Sequence, residues 1–155
     1  MSNQHSFVLA KINNLTEKEG IKYVQSKDER FFNPDAETRK RILEKLNIPS
    51  KKYNRAFDLI YVESERIQDG RVNIDDLSGI TLIELKTTKK EVPNNPLGFF
   101  FGATENEFEL ARLLGNQYKF CFVCLHINCP SYKLLNLDEL NEIIQRKRIQ
   151  YQINL

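Results

Sequence analysis

The amino-acid sequence predicts an α/β (α+β) protein whose small mixed β-sheet is flanked by helices. The length of 155 residues suits one domain with a single hydrophobic core. Helix signals and short apolar runs follow each other in the order helix, strands, helix, strand, helix. No repeat or Gly/Pro-rich linker interrupts them. We therefore expect one domain over residues 1–155, with a helical basic segment at 1–55, a core at 56–127 and a C-terminal helix and edge strand within 128–155.

The first helix with readable boundaries is predicted by the triplet Asn33-Pro34-Asp35. It offers a capping residue, a proline at the first helical position and an acid in the first turn. The helix is expected to run to about Leu46 and to stop before Pro49. Its spacing turns Ile42, Leu43 and Leu46 inward.

Strands are predicted where short runs of apolar and β-branched residues occur. The runs at 56–62 and 80–87 read as two strands, and the nearly continuous apolar run at 118–127 reads as a central one. Residues 149–155 alternate between apolar and polar side chains, which predicts a terminal edge strand. Residues 7–12 are apolar but too short to classify.

Two later helices carry capping boxes. Residues 104–107 (Thr-Glu-Asn-Glu) open a helix that should reach Leu114 and end at Gly115. Residues 136–139 (Asn-Leu-Asp-Glu) open another that should reach about Arg146.

The composition excludes several classes of protein. A chain with 41% hydrophobic and 28% charged residues is neither disordered nor collagen-like. No apolar run approaches the ~18–20 residues that span a bilayer, and the N-terminal residues do not resemble a signal peptide. The net charge, 23 − 21 = +2, argues against a histone-like basic binder. We expect a cytoplasmic protein with no membrane contact.

The cysteines raise the alternative of a zinc site. Cys121, Cys124, His126 and Cys129 provide four soft ligands, and Cys-x-x-Cys is a metal-binding spacing. Their context, however, favours a strand, in which residues 121 and 124 point to opposite faces. We expect these thiols to be small hydrophobes in a reducing compartment.

The pattern with most chemical content combines Asp58 in one predicted strand with Glu84 and Lys86 in the next. Residues 84 and 86 share a strand face because side chains alternate. If the two strands pair, two carboxylates and an ammonium converge. Such a patch suits Mg²⁺ together with a phosphate substrate, where the lysine orients or deprotonates an attacking water. The alternative is a surface ion pair.

These residues carry a resemblance to a known superfamily. Asp58 followed by Glu84-Leu85-Lys86, a helix and an apolar strand resembles the PD-(D/E)xK nucleases, which include many restriction endonucleases. More narrowly, residues 80–127 are similar to the NO VEIN C-terminal domain family, of unassigned function. The shared features are Ile83-Glu-Leu-Lys-Thr-Thr88, a loop ending in three phenylalanines, and the helix and strand that follow. Phe57 stands where the superfamily has proline.

The resemblance implies a restriction-endonuclease-like core and Mg²⁺-dependent hydrolysis of DNA, with Mn²⁺ as a substitute metal. Asp58, Glu84 and the Leu85 carbonyl would bind the metal, and Lys86 would handle the nucleophilic water. In some superfamily members the first helix adds a glutamate.

Further residues are candidates for this site, each with a plainer alternative. Glu37 and Glu44 are candidates for the helical glutamate, or they belong to a solvated helix face. Glu107 could approach from the second helix, although its capping box already explains it. Thr87 could bond phosphate oxygens, or it is only a strand former.

The small net charge conceals a strong asymmetry. Residues 38–55 hold seven basic side chains against one acid, and residues 58–79 hold six acids against two basic residues. The basic segment leads into the strand of Asp58, so phosphate contacts beside the metal are expected. The alternative is a helix with a charged outer face. The candidate DNA-binding residues are Arg39, Lys40, Lys51, Lys52, Arg55, Lys89 and Lys90.

The resulting hypothesis is a small DNA endonuclease, and one form of this hypothesis is a subunit of a restriction or defence system. The chain has no recognition-domain signature, so a homodimer or a heteromeric partner would supply target recognition. One alternative is a catalytically silent nuclease fold that binds nucleic acid or a protein partner. Another is an interaction module that docks through Phe99-Phe100-Phe101.

Overall fold

A five-stranded mixed sheet organises the molecule. The computed structural model describes the backbone of residues 2–155 and the side chains of residues 15–155. The sheet has the order β1-β2-β5-β6-β7, and β3 and β4 form a separate hairpin. The strands are β1 (Phe31–Phe32), β2 (Leu59–Tyr61), β3 (Ile67–Gln68), β4 (Arg71–Val72), β5 (Thr81–Thr88), β6 (Tyr118–Cys124) and β7 (Ser131–Leu135).

Helices cover both faces of this sheet. They are α1 (Ser2–Lys27), α2 (Ala36–Lys45), α3 (Ser50–Tyr53), α4 (Glu105–Leu114) and α5 (Leu137–Ile143). Only the β5–β6 pair is parallel within the sheet, and α4 makes the crossover between these two strands. The predicted α/β class with a small mixed sheet is therefore confirmed.

Each face of the sheet buries its own apolar cluster, because alternate strand residues point to opposite sides. The face under α1 is built around Val24, Leu59, Ile83 and Cys121. The other face, under α2, α4 and α5, is larger and contains most of the buried aromatic rings. These rings are Tyr53, Phe57, Phe108, Tyr118, Phe120 and Phe122.

Gly20 lets α1 approach β5 closely. A Cβ at this position would lie 2.5 Å from Thr87 Oγ1 and 3.0 Å from Leu85 Cδ2. Glycine is therefore needed for space at this contact rather than for an unusual backbone conformation. The contact fixes α1 over the strand that carries Glu84 and Lys86.

The predicted helix starts are close to those of the structure. α4 has the predicted capping box and ends before Gly115, and α5 has its box at Asn136. α2 begins after Asp35, whose side chain accepts from Thr38 N at 2.8 Å, so the cap is two residues later than Asn33. α5 ends at Ile143 rather than near Arg146 because Ile144 has extended backbone.

Other expectations were wrong or incomplete. β2 is shorter than the predicted 56–62 because Asp58 bonds to β5 through its side chain. Residues 149–155 form no strand, and their alternate apolar side chains are exposed, because no strand of the sheet lies alongside to complete a ladder. Residues 7–12 belong to the backbone of α1, and their side chains lie outside the described residues.

The three cysteines are free thiols. Burial raises the pKa of Cys121 to about 12. The Sγ atoms of Cys124 and Cys129 lie 3.5 Å apart, and His126 Nδ1 accepts from Asn128 N. Among the described side chains, no three His, Cys, Asp or Glu residues form a metal-binding group, so the zinc alternative gains no support. Over the same residues, no helix combines the length and apolar character needed to cross a bilayer.

Candidate active site

Asp58 lies where the pairing between β2 and β5 stops. Its backbone N–H donates to the Ile83 carbonyl at 2.8 Å, and its Oδ2 accepts from Leu85 N at 2.7 Å. The N–H and C=O of one strand residue point to the same side. The Leu85 carbonyl therefore faces the Asp58 side of β5, beyond the last paired residue of β2. This is the carbonyl that the resemblance nominates as a metal ligand.

Glu84 lies on the face of β5 that points toward α4. Its side chain is only 10% exposed. Burial, and then the neighbouring Asp58 carboxylate, raise the pKa of Glu84 well above its ordinary value. Its Oε2 is buried and has no hydrogen-bond partner among the described groups. A buried oxygen without a donor is a costly arrangement that a bound cation would relieve.

Lys86 bridges two carboxylates on the same face. Its Nζ lies 3.2 Å from Glu84 Oε1 and 2.5 Å from Glu107 Oε1. Burial acts to lower the pKa of Lys86, but the two glutamates outweigh it and raise that pKa. The side chain is therefore held as an ammonium, which can donate hydrogen bonds and offset negative charge.

Glu107 has two roles at once. Its Oε2 accepts from Thr104 N and Thr104 Oγ1, which closes the capping box of α4, while Oε1 accepts from Lys86. Burial raises the pKa of Glu107, but Lys86 and Thr104 outweigh this effect, so the pKa is lowered overall. Glu107 therefore caps α4 and contacts Lys86 at the same time, and a functional role for it stays a prediction.

Glu17 of α1 reaches Asp58 and was not among the residues predicted from the sequence. Burial, followed by the charge of Asp58 and by hydrogen bonding to it, raises the pKa of Glu17 to about 7. A neighbouring carboxylate disfavours the ionised form of a second carboxyl group. The available signal was helical spacing, since Glu17 shares a helix face with Gly20, Ile21 and Val24.

Arg39 holds the backbone on which Asp58 is mounted. Its Nη1 donates to the Phe57 carbonyl at 2.6 Å, and its Nη2 donates to the Asp58 carbonyl at 2.7 Å. The Nε atom donates to Pro34 O, and Nη2 also donates to Asn33 Oδ1. All three guanidinium nitrogens thus serve protein acceptors, so this geometry supports a positioning role for Arg39 rather than the predicted phosphate contact.

Three other predicted residues lie away from this cluster. Glu37 is exposed in the first turn of α2, and Glu44 is exposed with its Oε1 4.0 Å from Lys40 Nζ. Thr87 points to the opposite face of β5, beneath Gly20. The solvated-helix alternative therefore fits Glu37 and Glu44, and Glu17 is the helical glutamate that the fold brings to Asp58.

The remaining basic candidates are on the surface. Lys51, Arg55 and Lys90 are exposed. Lys40, Lys52 and Lys89 are also exposed, and each lies near a glutamate. Lys52 Nζ lies 3.0 Å from Glu109 Oε2, and Lys89 Nζ lies 3.3 Å from Glu19 Oε2. Exposed pairs of this kind are weak and can be exchanged for phosphate contacts. DNA binding by these residues stays a prediction.

The cluster suits a hard divalent cation by its donor chemistry. Glu17, Asp58, Glu84 and the Leu85 carbonyl supply oxygen ligands, which Mg²⁺ prefers. The raised pKa of Glu17 and the buried, unpartnered Glu84 oxygen are features that such a cation would compensate. The described side chains include no ready group of three His, Cys, Asp or Glu ligands, so metal binding by these residues stays a prediction.

No protein-family model matches the chain, and no curated protein or solved structure is significantly similar to it. The functional interpretation therefore depends on the arrangement of the residues themselves.

Proposed function

We propose that the protein is a Mg²⁺-dependent endonuclease of the PD-(D/E)xK type that hydrolyses phosphodiester bonds of DNA, with Mn²⁺ as a substitute metal. The observation that carries this proposal is the convergence of Asp58, Glu84 and Lys86 at the end of the β2–β5 pairing, with Asp58 bonded to Leu85 N. The order of the Asp58 strand, the Glu84–Lys86 strand, α4 and β6 also supports it.

In the proposed site, Asp58, Glu84 and the Leu85 carbonyl hold the metal, and Glu17 is an additional ligand from α1. A bound Mg²⁺ supplies a Lewis acid and lowers the pKa of its water. Lys86 acts as an ammonium that orients the attacking water and offsets phosphate charge, since its pKa is raised. Glu107 positions Lys86 from α4.

We further propose a cytoplasmic protein that works with a partner. The three free cysteines support a reducing compartment. A second copy or a larger subunit of a restriction or defence system would supply target recognition.

The test is cleavage of supercoiled plasmid with Mg²⁺ or Mn²⁺. We expect the wild type to nick or linearise the plasmid and EDTA to stop it. Asp58→Asn, Glu84→Gln and Lys86→Ala should each lower the rate by roughly 10²-fold or more. Glu37→Gln, an exposed carboxylate outside the site, should leave the rate unchanged. Equal cleavage by all variants would contradict the proposal.

A catalytically silent DNA-binding fold is the second candidate. The observation that favours it is the closed pairing of Lys86 with Glu84 and Glu107, which already satisfies the ammonium without substrate. In that case the wild type would bind DNA with the same affinity as Lys86→Ala and would cleave nothing, with or without metal. Cleavage that begins only after a second protein is added would favour the subunit interpretation.

A further inference from the structure

A loop with three consecutive phenylalanines is anchored beside Lys86. Phe122 is the partner of Lys86 in the β5–β6 ladder, so the two side chains lie next to each other on one face of the sheet. The ring of Phe122 contacts those of Phe99 and Phe101, each at 5.1 Å between centroids. The loop is therefore attached to the sheet at a position adjacent to the candidate active site.

Phe100 lies between these two anchored rings and is 89% exposed. Single exposed hydrophobic residues are common on protein surfaces and usually carry no function. Here, however, both chain neighbours are packed against Phe122, which anchors the backbone at Phe100 and leaves its ring in solvent. The Asn95 side chain adds a second anchor by donating to the Phe122 carbonyl at 2.9 Å.

Basic residues lie at both ends of this loop. Lys90 is exposed where the chain leaves β5, and its carbonyl accepts from Cys124 Sγ at the end of β6. At the other end, Asn106 in the first turn of α4 donates to the Lys52 carbonyl at 3.1 Å, which places exposed Lys51 nearby. A phosphate backbone that reaches Lys86 would therefore pass positive charge on either side of Phe100.

We propose that Phe100 stacks on an unpaired nucleobase of the DNA held at the candidate active site, so that the preferred substrate is single-stranded or locally unpaired DNA. Inside a duplex both faces of each base are covered by its neighbours, so an aromatic ring can stack there only after a base step is unstacked, which costs a few kcal/mol. An unpaired base offers a free face, and aromatic stacking is the common means of binding it. This inference rests on the proposed nuclease function and names its substrate class.

The absence of tryptophan from the chain makes a direct test available. In Phe100→Trp the introduced indole is the single tryptophan of the protein. With EDTA present to prevent cleavage, a short oligo(dT) should quench its fluorescence, whereas an abasic oligomer of equal length and a blunt duplex should not. Phe100→Leu should bind oligo(dT) about tenfold more weakly and bind duplex unchanged. Leu97→Ala, an exposed apolar residue of the same loop, is the matched control and should bind both like the wild type.

The outcomes separate this inference from the proposed function. Quenching by oligo(dT) without any cleavage in Mg²⁺ would support stacking and contradict the nuclease. Plasmid cleavage together with unquenched Phe100→Trp and an unaffected Phe100→Leu would overturn stacking and leave the nuclease standing. Equal quenching by the abasic oligomer, or no binding of oligo(dT) by the folded wild type, would also overturn it.

Discussion

At the scale of single residues, the candidate site is a set of carboxyl groups that are close enough to alter one another's protonation. The pKa of Glu17 is raised by burial and by Asp58, and the pKa of Glu84 is raised by the same two causes. On the same face of β5 as Glu84, the Lys86 ammonium pairs with Glu84 and Glu107. We expect a bound cation to compensate the carboxylates that Lys86 does not reach.

Glu107 provides the sharpest residue-scale prediction. Glu107→Gln keeps the shape and the acceptor for Thr104 but removes the charge that holds Lys86. We expect plasmid cleavage to fall by roughly tenfold and the pKa of Lys86 to fall, because one of its two anionic partners is lost. The measurements are the cleavage rate and the NMR titration of the lysine Nζ resonance.

Glu105→Gln is the control for this experiment. Glu105 lies in the same first turn of α4, but its partner is Arg112, at 2.8 Å on the surface. The Glu105→Gln substitution should leave both the rate of plasmid cleavage and the titration of Lys86 unchanged. A Glu107→Gln protein with wild-type cleavage and an unshifted Lys86 would refute the positioning role.

At the scale of elements, the contact of α1 with β5 determines where Glu17 is placed. The contact depends on Gly20, which lies one helical turn after Glu17 and directly over Thr87. The same element pair therefore joins the packing of the sheet to the geometry of the site. A change in this contact is expected to move Glu17 relative to Asp58.

Gly20→Ala tests this contact. Alanine favours a helix over glycine by about 1 kcal/mol, but its Cβ would be 2.5 Å from Thr87 Oγ1 and 3.2 Å from Thr87 Cγ2. Leu85 Cδ2 also lies 3.0 Å from this point, so an added methyl group is crowded by two residues. We expect a net loss of about 1–2 kcal/mol in the free energy of unfolding, measured by urea denaturation.

The double variant Gly20→Ala/Thr87→Ala is the informative comparison for this prediction. Removing both Thr87 branches opens the space, so Gly20→Ala should then stabilise or be neutral when compared with Thr87→Ala alone. Additive effects of the two substitutions would mean that Gly20 and Thr87 do not compete for this space.

At the scale of the whole molecule, Asp28 connects α1 to the sheet. Its side chain, 13% exposed, accepts from Arg30 and from Tyr61 Oη of β2, and its backbone N–H donates to Val24 O at the end of α1. The hydrogen bonds from Arg30, aided by the one from Tyr61, lower the pKa of Asp28 to about 2 from an ordinary 3.8. The folded state therefore favours the ionised form.

This shift predicts a pH-dependent part of the stability. Because the folded-state pKa is below the unfolded one, the contribution is present above about pH 4 and is lost as the pH falls toward 2. Asp28→Asn should lower the free energy of unfolding by about 1–2 kcal/mol at pH 7. The difference in stability between this variant and the wild type should shrink as the pH falls from about 4 toward 2. Urea unfolding at a series of pH values measures it. The control is Glu29→Gln, an exposed neighbour that should follow the wild type, and a gap constant with pH would contradict the assignment.

Local patterns in the sequence were enough to predict the mixed α/β class and the starts of α4 and α5. They were also enough to single out Asp58 in one strand and Glu84 with Lys86 in the next. These depend on near neighbours: a cap binds an N–H three residues away, and strand alternation needs no partner. Where an element needs a neighbouring strand to form, the same local patterns were not enough to predict it. Residues 149–155 alternate like a strand but have no strand beside them.

Only the tertiary structure decided which distant groups complete the candidate site. Glu17 meets Asp58 because Gly20 lets α1 lie against β5, and Arg39 turns inward because the Phe57 and Asp58 carbonyls lie within its reach. Contacts between residues far apart in the chain are set by packing and strand register, which composition and spacing do not encode. The sequence by itself determined the chemical groups of the site, and the fold decided which of them meet.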